Sequence, residues 1–557
     1  MIAPSRKSYF IFLAILIGIY FFINIPIIVN CVFIADDLPV IFFSNLNPFP
    51  IATYWENGIQ QLIPSVQIDS IHYRPLTSFL TYACFVVFGL KPVYWAIVSQ
   101  VVHLANFVFL IFVLLEIQKI LKVKNTWLCL IIPAFYLLYP GNVTNLAWLS
   151  ARTDLIVILF CLSSFFFSLK YIQSKKFYFL ILSSILFLLG ALTKENAVSW
   201  FIVEFMLIWQ IYFLTNKSPE IFTSLTRLLN AKVTVCILYI FGRSVLAMID
   251  SKTIISNIKT LTIIPAYLKS LLFTFLPVDS GTFIYSFVDS KLIFVMLYGV
   301  YFAALLIIIY CLRPQKYFSQ MLFIGLVISL STLSFYIIAG GGTYRLFALT
   351  FLSLLIFCFN LLTQKERTVS KISFKIASAI VLLFFVYGSF KISGYWLTNY
   401  KLQNESLESL TKIYDNDKEN VILNYPHALG QSYCYSDIGV YLYYKVNQSI
   451  GRFNNINGLA SMTSHNAEHY LNGSIVEQNN NSFIVNSEFN DTYFSSEPFF
   501  TEKSVLGEKY NNLKNYSFEV LKLNSFSKPV SIKLQPISEV PKDINYIKFE
   551  DGKFTKF

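Results

Sequence analysis

The feature that most constrains this chain is a series of apolar runs, most of them near the ~20 residues that an α-helix needs to cross a bilayer. Of the 557 residues, 55% are hydrophobic and only 13% are charged. A soluble domain does not carry this balance, because its surface needs far more charge. The sequence therefore predicts a polytopic α-helical membrane protein.

Eleven runs are predicted to span the membrane. They cover approximately residues 9–29, 93–120, 126–139, 152–169, 177–192, 197–214, 233–248, 292–312, 321–339, 346–362 and 376–392. The first run follows Arg6 and Lys7 and lacks a small-residue cleavage site, so we interpret it as a retained helix. A polar turn, Pro140-Gly141-Asn142, follows the third run. The long connections 30–91 and 249–291 contain several prolines and shorter apolar pieces, which favour interfacial or re-entrant helices.

Lysine and arginine in the connections orient the spans, because cytoplasmic loops carry the excess of these residues. Basic clusters follow alternate runs; those after the second and sixth are Lys119, Lys122 and Lys124, and Lys217, Arg227 and Lys232. Most of the net charge of +12 lies in such loops, so we reject a nucleic-acid partner. With the N-terminus inside and eleven spans, the residues after the last run lie outside.

The last part of the chain differs in composition from the rest. Asparagine, serine, tyrosine and lysine dominate it, and the short stretches 421–425 and 440–444 are typical of strands. We therefore predict a membrane domain over residues 1–395 and a small extracytoplasmic domain of mixed or mainly β structure over 396–557.

The connections on the outer side hold charges that lie close to helix ends. They are Asp36, Asp37, Arg74, Arg152, Asp154, Lys194, Glu195, Asp279 and Arg345, with Arg243 near the outer end of the seventh run. A single arginine at a helix end usually extends to the interface without binding a ligand. Five basic residues on the side that disfavours them indicate instead one outward-facing polar site.

Four short motifs then resemble a known family. In order they are Ala35-Asp36-Asp37, His72-Tyr73-Arg74-Pro75-Leu76, Trp148-Leu149-Ser150-Ala151-Arg152-Thr153-Asp154 and Thr193-Lys194-Glu195-Asn196-Ala197. Over residues 1–395 the set resembles polytopic glycosyltransferases of the GT-C fold, most of all the protein O-mannosyltransferase branch and its tetratricopeptide-bearing relatives. The chain departs from some members in having Asp-Asp where they have Asp-Glu, and it lacks tetratricopeptide repeats after the last run.

The resemblance implies an activity. Such enzymes transfer a sugar from a polyprenyl-phosphate carrier to a protein, glycan or lipid acceptor on the outer face, and an acidic residue of the first outer loop is catalytic. It therefore implies that Asp36 or Asp37 is the catalytic carboxylate. We predict an integral protein of a bacterial inner membrane whose site faces the periplasm or exterior. The two departures from the family pattern leave the identity of the acceptor open.

Elementary chemistry agrees with this implication. A carboxylate can take the proton of the acceptor hydroxyl while the lipid phosphate leaves, in one displacement with inversion. The departing phosphate needs cations, and Arg74, Arg152, Lys194, Arg243 and Arg345 are the candidates. Asp154 and Glu195, close in sequence to Arg152 and Lys194, are predicted to orient those cations.

Two histidines complete the predicted substrate-binding set. His72 belongs to the second motif, and His103 forms a stripe with Gln100 and Asn106 that should face the interior of the bundle. Paired aspartates suit a divalent cation, but the sequence shows no third nearby ligand, so we predict no cofactor and leave a divalent cation open as an alternative. A surface-polysaccharide polymerase or ligase is the alternative function, and a transporter, which should show internal repeats, is the weaker third.

Overall fold

The computed structural model describes residues 6–34, 37–38, 40–41, 74–123, 128–247, 263–278, 292–312, 317–338, 347–363, 372–429, 432–433, 438–447, 456–464, 475–479, 482–487, 493–495, 506–507, 509–513, 516–523, 529–537, 544–551 and 553–557. Within these ranges six helices are long and apolar enough to cross a membrane, and two shorter helices bent by 51° make a seventh candidate. Five further apolar helices have 10–17 residues when only the positions with described side chains are counted. The predicted fold class, a polytopic α-helical membrane protein with a C-terminal part of mixed or mainly β structure, is confirmed.

The helices of the membrane part account for all eleven predicted runs. They are α1 Arg6–Val29, α2 Pro75–Phe88, α3 Pro92–Leu121, α4 Leu128–Leu137, α5 Pro140–Ala147, α6 Arg152–Ser174, α7 Phe177–Thr193, α8 Trp200–Leu214, α9 Pro219–Ala247, α10 Ile263–Thr274, α11 Leu292–Leu312, α12 Phe318–Ile338, α13 Ala348–Thr363 and α14 Ile372–Ile413. The short helices α2 and α10 fall in the two long connections. Each apolar run found by hydropathy therefore corresponds to a helix of the structure.

Two segments predicted as connections are helical. The predicted turn at Pro140 is the first turn of α5, where proline is favoured because its missing N–H has no partner there anyway. The Asn142 side chain donates to the Tyr136 carbonyl across the bend, 2.8 Å away. The predicted connection that holds Lys232 is part of α9, which begins at Pro219. Lys232 is buried there because Glu204 of α8 neutralises it, 2.5 Å away.

The longest helix is α14, with 42 residues. At 1.5 Å per residue it is about 63 Å long, twice the ~30 Å of a hydrocarbon core. The predicted end near Ile392 is wrong by 21 residues, because the outer turns are polar on one face but bury Trp396, Tyr400 and Leu410 on the other. The predicted domain boundary at 395/396 falls inside this helix, and the division into two domains stays a prediction.

A glycine on α14 allows a close approach of two other segments. A Cβ atom on Gly388 would lie 1.5 Å from the carbonyl oxygen of Pro277 and 3.0 Å from Cγ of Pro140. One residue further along, Ser389 donates to the Leu138 carbonyl at 3.1 Å. The chain between α10 and α11 and the α4–α5 bend thus both pack on α14 at this point.

Two sheets and a helix follow α14. The strands are β1 Glu419–Leu429, β2 Ser432–Tyr433, β3 Ile456–Ser464, β4 Ile475–Asn479, β5 Ser482–Asn486, β6 Tyr493–Ser495, β7 Lys509–Leu513, β8 Tyr516–Leu523, β9 Pro529–Pro536, β10 Ile544–Glu550 and β11 Lys553–Lys556, with helix α15 at Ile438–Asn447. One sheet has the order β11-β10-β1-β3-β6, with β2 paired to β1, and the other the order β4-β5-β9-β8-β7.

The first sheet shows why one predicted strand is wrong. β1 contains the predicted strand 421–425 and pairs with β3 in parallel. Parallel neighbours need a crossover connection, which is usually a helix. The predicted strand 440–444 lies in that crossover as part of α15, where the adjacent residues Tyr441 and Leu442 are both buried.

Candidate active site at the outer helix ends

Asp37 joins two segments that are far apart in the chain. Its Oδ1 accepts hydrogen bonds from the backbone N–H of Ser150 at 2.7 Å and from the Ser150 hydroxyl at 2.8 Å. Its Oδ2 accepts from the N–H of Ile34 at 3.0 Å. The side chain is 1% exposed. Asp37 therefore fixes the chain after α1 to the short 3-10 turn Leu149–Ala151 that precedes α6.

Arg152, the first residue of α6, lies directly after that turn. It is 3% exposed, and its guanidinium lies over the ring of Trp95, 4.5 Å from the centroid, a cation–π contact. It is close enough to Asp37 for their charges to interact. Its buried Nη1 has no hydrogen-bond partner among the described residues. A buried N–H group is costly without an acceptor, so Nη1 is available to donate to an acceptor that reaches it.

Two ion pairs lie beside Arg152, and both join different motifs. Lys194 Nζ donates to Oδ1 of Asp154 at 2.6 Å, and both side chains are buried. Arg74 binds Glu195 with two bonds, from Nε to Oε2 at 2.9 Å and from Nη2 to Oε1 at 2.5 Å. Burial alone would lower the pKa of Arg74, but the hydrogen bonds to Glu195 and its charge raise it. The guanidinium stays charged.

This pairing differs from the one that sequence proximity suggests. Asp154 pairs with Lys194, and Glu195 pairs with Arg74. The reason is that α6 and α7 are antiparallel neighbours, so the start of α6 meets the end of α7. The second oxygen of Asp154, Oδ2, has no hydrogen-bond partner among the described residues. Of the three cations, Arg152 is the one with a buried N–H group that lacks a hydrogen-bond partner among the described residues.

These hydrogen bonds and ion pairs join the charged side chains into one continuous group. Asp37 contacts the turn before Arg152, Asp154 lies on the first turn of the same helix, and Arg74 is within electrostatic range of Asp154. The hydroxyl of Thr77 on α2 donates to the carbonyl of Thr193 at 2.6 Å, which holds α2 to the end of α7. Three acids and three bases from four helix ends therefore meet at one end of the bundle.

His103 lies apart from this group. It is eight residues beyond Trp95 on α3, about 12 Å deeper along the helix, and is fully buried. Its ring lies between the rings of Tyr20 and Tyr136, with centroids 5.6 and 5.1 Å away. The prediction that Gln100, His103 and Asn106 face the interior is confirmed, since all three are buried.

The remaining predicted site residues are less fully described. Asp36, His72, Asp279 and Arg345 lie outside the described residues. Arg243 lies in α9 by its backbone, and its side chain is not described. In the described part of the chain, no three His, Cys, Asp or Glu side chains form a group that could hold a metal ion.

A second group of polar side chains, which the sequence did not predict, lies deeper in the bundle. Lys232 of α9 donates to Glu204 of α8 at 2.5 Å and to the Ser164 hydroxyl of α6 at 2.6 Å. Ser168 donates to the other oxygen of Glu204 and bonds Ser183 of α7 at 2.6 Å. Serine recurs at residues 164 and 168 on one face of α6, and that spacing was the available signal.

The fold and the site together define a polytopic membrane protein with a buried, charged site at one end of its helical bundle. No family model matches the chain, and no curated protein matches it significantly.

The solved structures to which the chain is similar include the following three. One is ArnT from Cupriavidus metallidurans bound to undecaprenyl phosphate, with 9% identity and a TM-score of 0.40 over 86% of this chain and 97% of that chain. The apo oligosaccharyltransferase of Archaeoglobus fulgidus has 12% identity and a TM-score of 0.37 over 75% and 63%. AglB from the same organism, with an inhibitory peptide and a dolichol-phosphate, has 10% and 0.37 over 86% and 74%. TM-scores below 0.5 leave the function to be judged from the residues.

Proposed function

We propose that this protein is a membrane glycosyltransferase. It transfers a sugar from a polyprenyl-phosphate donor to an acceptor on the extracytoplasmic face, by a single inverting displacement. The observation that carries the proposal is the hydrogen bonding of Asp37 to the turn that begins the Arg152 helix. This contact joins the acidic loop motif to a buried guanidinium, one N–H group of which has no hydrogen-bond partner among the described residues.

Arg152 is the proposed ligand of the donor phosphate. Arg74 and Lys194 each have a carboxylate partner, whereas Nη1 of Arg152 has no hydrogen-bond partner among the described residues. The planar guanidinium stacks on Trp95 and can present its N–H edge to phosphate oxygens. Such a contact stabilises the negative charge that develops as the sugar leaves the phosphate.

The two aspartates are proposed to have different tasks. Both oxygens of Asp37 accept hydrogen bonds from the protein, which suits an anchor. Asp36, the preceding residue, is the proposed general base that takes the proton of the acceptor hydroxyl. Asp154 keeps Lys194 in place, and Glu195 keeps Arg74 in place, so that these cations add positive charge near the phosphate. Arg243, Arg345, His72 and His103 remain predicted substrate contacts.

The donor is a polyprenyl-phosphate-linked sugar that enters from the surrounding membrane lipids, and the acceptor is a protein, glycan or lipid outside. The proposed location is a bacterial inner membrane with the site facing the periplasm or exterior. The alternating basic loops support that orientation.

The test is a transfer assay on purified protein in lipid nanodiscs. Radiolabelled polyprenyl-phosphate sugars are supplied with peptide, glycan and lipid acceptors, and both labelled product and released polyprenyl phosphate are measured. We expect equal amounts of both from the wild type and a strong loss with Arg152→Gln. The exposed Lys401→Gln on α14 is the matched control, and it should transfer like the wild type.

The other functions give different results in the same experiment. A polymerase or ligase would need a pyrophosphate-linked oligosaccharide and would yield a ladder of chain lengths or a long capped chain. A transporter would move label across a proteoliposome membrane without cleaving the sugar from its carrier. Failure to cleave any polyprenyl-phosphate sugar would reject the proposal.

A further inference from the structure

The outer half of α14 contacts both segments that meet at Asp37. The hydroxyl of Tyr400 donates to the carbonyl of Ala147 at 2.6 Å. One helical turn further out, the side-chain amide of Gln403 donates to the carbonyl of Phe33. Both side chains are buried. Ala147 lies three residues before Ser150, and Phe33 lies four residues before Asp37.

These bonds close a ring. From α14 it runs through Gln403 to Phe33, along the chain to Asp37, across to Ser150, back along the chain to Ala147, and through Tyr400 to α14. A ring of this kind has no free end, so neither segment can shift alone without breaking a buried hydrogen bond. The position of the acidic motif relative to Arg152 is therefore set by α14 as well as by Asp37.

The far end of α14 is held in turn by the C-terminal strands. The Asn545 side chain of β10 donates to the Ile413 carbonyl at 2.9 Å. The backbone N–H of Phe554 in β11 donates to the Ser409 hydroxyl at 2.7 Å. Ser409 is six residues, about 9 Å, from Gln403. The helix thus connects the C-terminal sheet to the ring.

We infer that Tyr400 and Gln403 are positioning residues for the transfer reaction and that α14 couples the C-terminal β structure to the active site. This inference rests on the proposed function for its consequence in catalysis. The physical reason is that a reacting group displaced by about 1 Å can lose ~10²-fold in rate. Removing either bond frees its segment, while the ion pairs that hold the cations stay intact.

The variants are Tyr400→Phe, which removes only a hydroxyl, and Gln403→Leu, which replaces the amide with an apolar side chain of similar size. Matched controls on the same helix are Tyr387→Phe, whose ring is 43% exposed, and Asn404→Leu at an exposed position next to Gln403. We expect kcat to fall roughly 10- to 100-fold in each of the two variants. Donor KM should stay within about twofold, because the cations are untouched, and the controls should match the wild type.

A second measurement does not depend on activity. Amide hydrogen exchange should become faster in peptides covering 31–34 for Gln403→Leu and 147–151 for Tyr400→Phe, while peptides within α6 keep their protection. Wild-type exchange and wild-type kcat in both variants would overturn the inference. A merely structural role would show as a lower melting temperature with an unchanged kcat per folded molecule, which would also overturn it. If the wild type transfers no sugar but the two variants still exchange faster than it does, the proposed function is rejected and the coupling stands.

Discussion

Removing one partner of the Lys232–Glu204 pair should destabilise the protein much more than removing both. The two side chains are 3% and 2% exposed, and Nζ lies 2.5 Å from Oε2. The pair joins α8 and α9 inside the bundle, and Ser164 and Ser168 of α6 bond to it. A single substitution leaves a buried charge without its counter-charge, whereas the double substitution leaves none.

The structure sets the size of the effect. Glu204→Gln leaves a buried lysine, and removing the proton from an ordinary lysine at pH 7 costs about 4.6 kcal/mol. Lys232→Met leaves a buried glutamate, and protonating an ordinary glutamate at pH 7 costs about 3.7 kcal/mol. Breaking a buried pair usually costs about 3–5 kcal/mol, so we expect that loss from each variant. The double variant should cost less than either single variant, and therefore at least about 3 kcal/mol less than the sum of the two.

The assay is reversible unfolding in mild detergent with increasing dodecyl sulfate, followed by tryptophan fluorescence, for the wild type, the two single variants and the double variant. The control is Lys401→Met, which breaks an exposed pair with Glu405 and should change the free energy of unfolding by under about 0.5 kcal/mol. Single variants that cost less than about 1 kcal/mol, or two costs that simply add in the double variant, would refute this reasoning.

Three further predictions concern the site, the packing and the orientation. Arg152→Gln should weaken donor binding by about 1.5–3 kcal/mol while Arg152→Lys keeps part of the affinity; equal lipid-donor dissociation constants in all three proteins would contradict the phosphate role. Gly388→Ala should cost about 1–3 kcal/mol of stability, because its Cβ would meet the Pro277 carbonyl, whereas Gly394→Ala, with no atom within 4 Å, should be neutral or slightly stabilising; similar melting temperatures for the two would count against the packing. A single cysteine at Ile450 should react with an impermeant reagent on intact cells, and reaction only after permeabilisation would reverse the assigned orientation.

Hydropathy located the helices well because the hydrocarbon core requires a minimum apolar length. The eighth predicted run coincides with α11, Leu292–Leu312, and the second differs from α3 by one residue at each end. Hydropathy fails to locate helix limits where a helix packs against protein and not against lipid. Lys232 lies inside a helix because Glu204 and Ser164 neutralise and bond it, and sequence alone does not show those partners.

The site was predicted only in part, because its contacts also depend on partners that the sequence does not show. The motifs identified Asp37, Arg152, Asp154 and Lys194, which the fold brings to one end of the bundle. Sequence could not predict that Lys194 binds Asp154, 40 residues away, because that contact depends on how α6 and α7 pack. The predicted end of α14 near Ile392 likewise excluded Tyr400 and Gln403, whose partners lie more than 250 residues away.

The most direct test of the central claim is single-turnover sugar transfer by Asp36→Asn and Asp37→Asn at saturating lipid donor. An amide cannot accept the proton of the acceptor, so Asp36→Asn should fold, bind donor and lose roughly 10²- to 10⁴-fold in rate. Asp37→Asn turns an N–H group toward Ser150 or Ile34, so it should lower the melting temperature and reduce the rate less. A near wild-type rate for Asp36→Asn would contradict its role as the base, and a larger loss in Asp37→Asn would assign that role to Asp37.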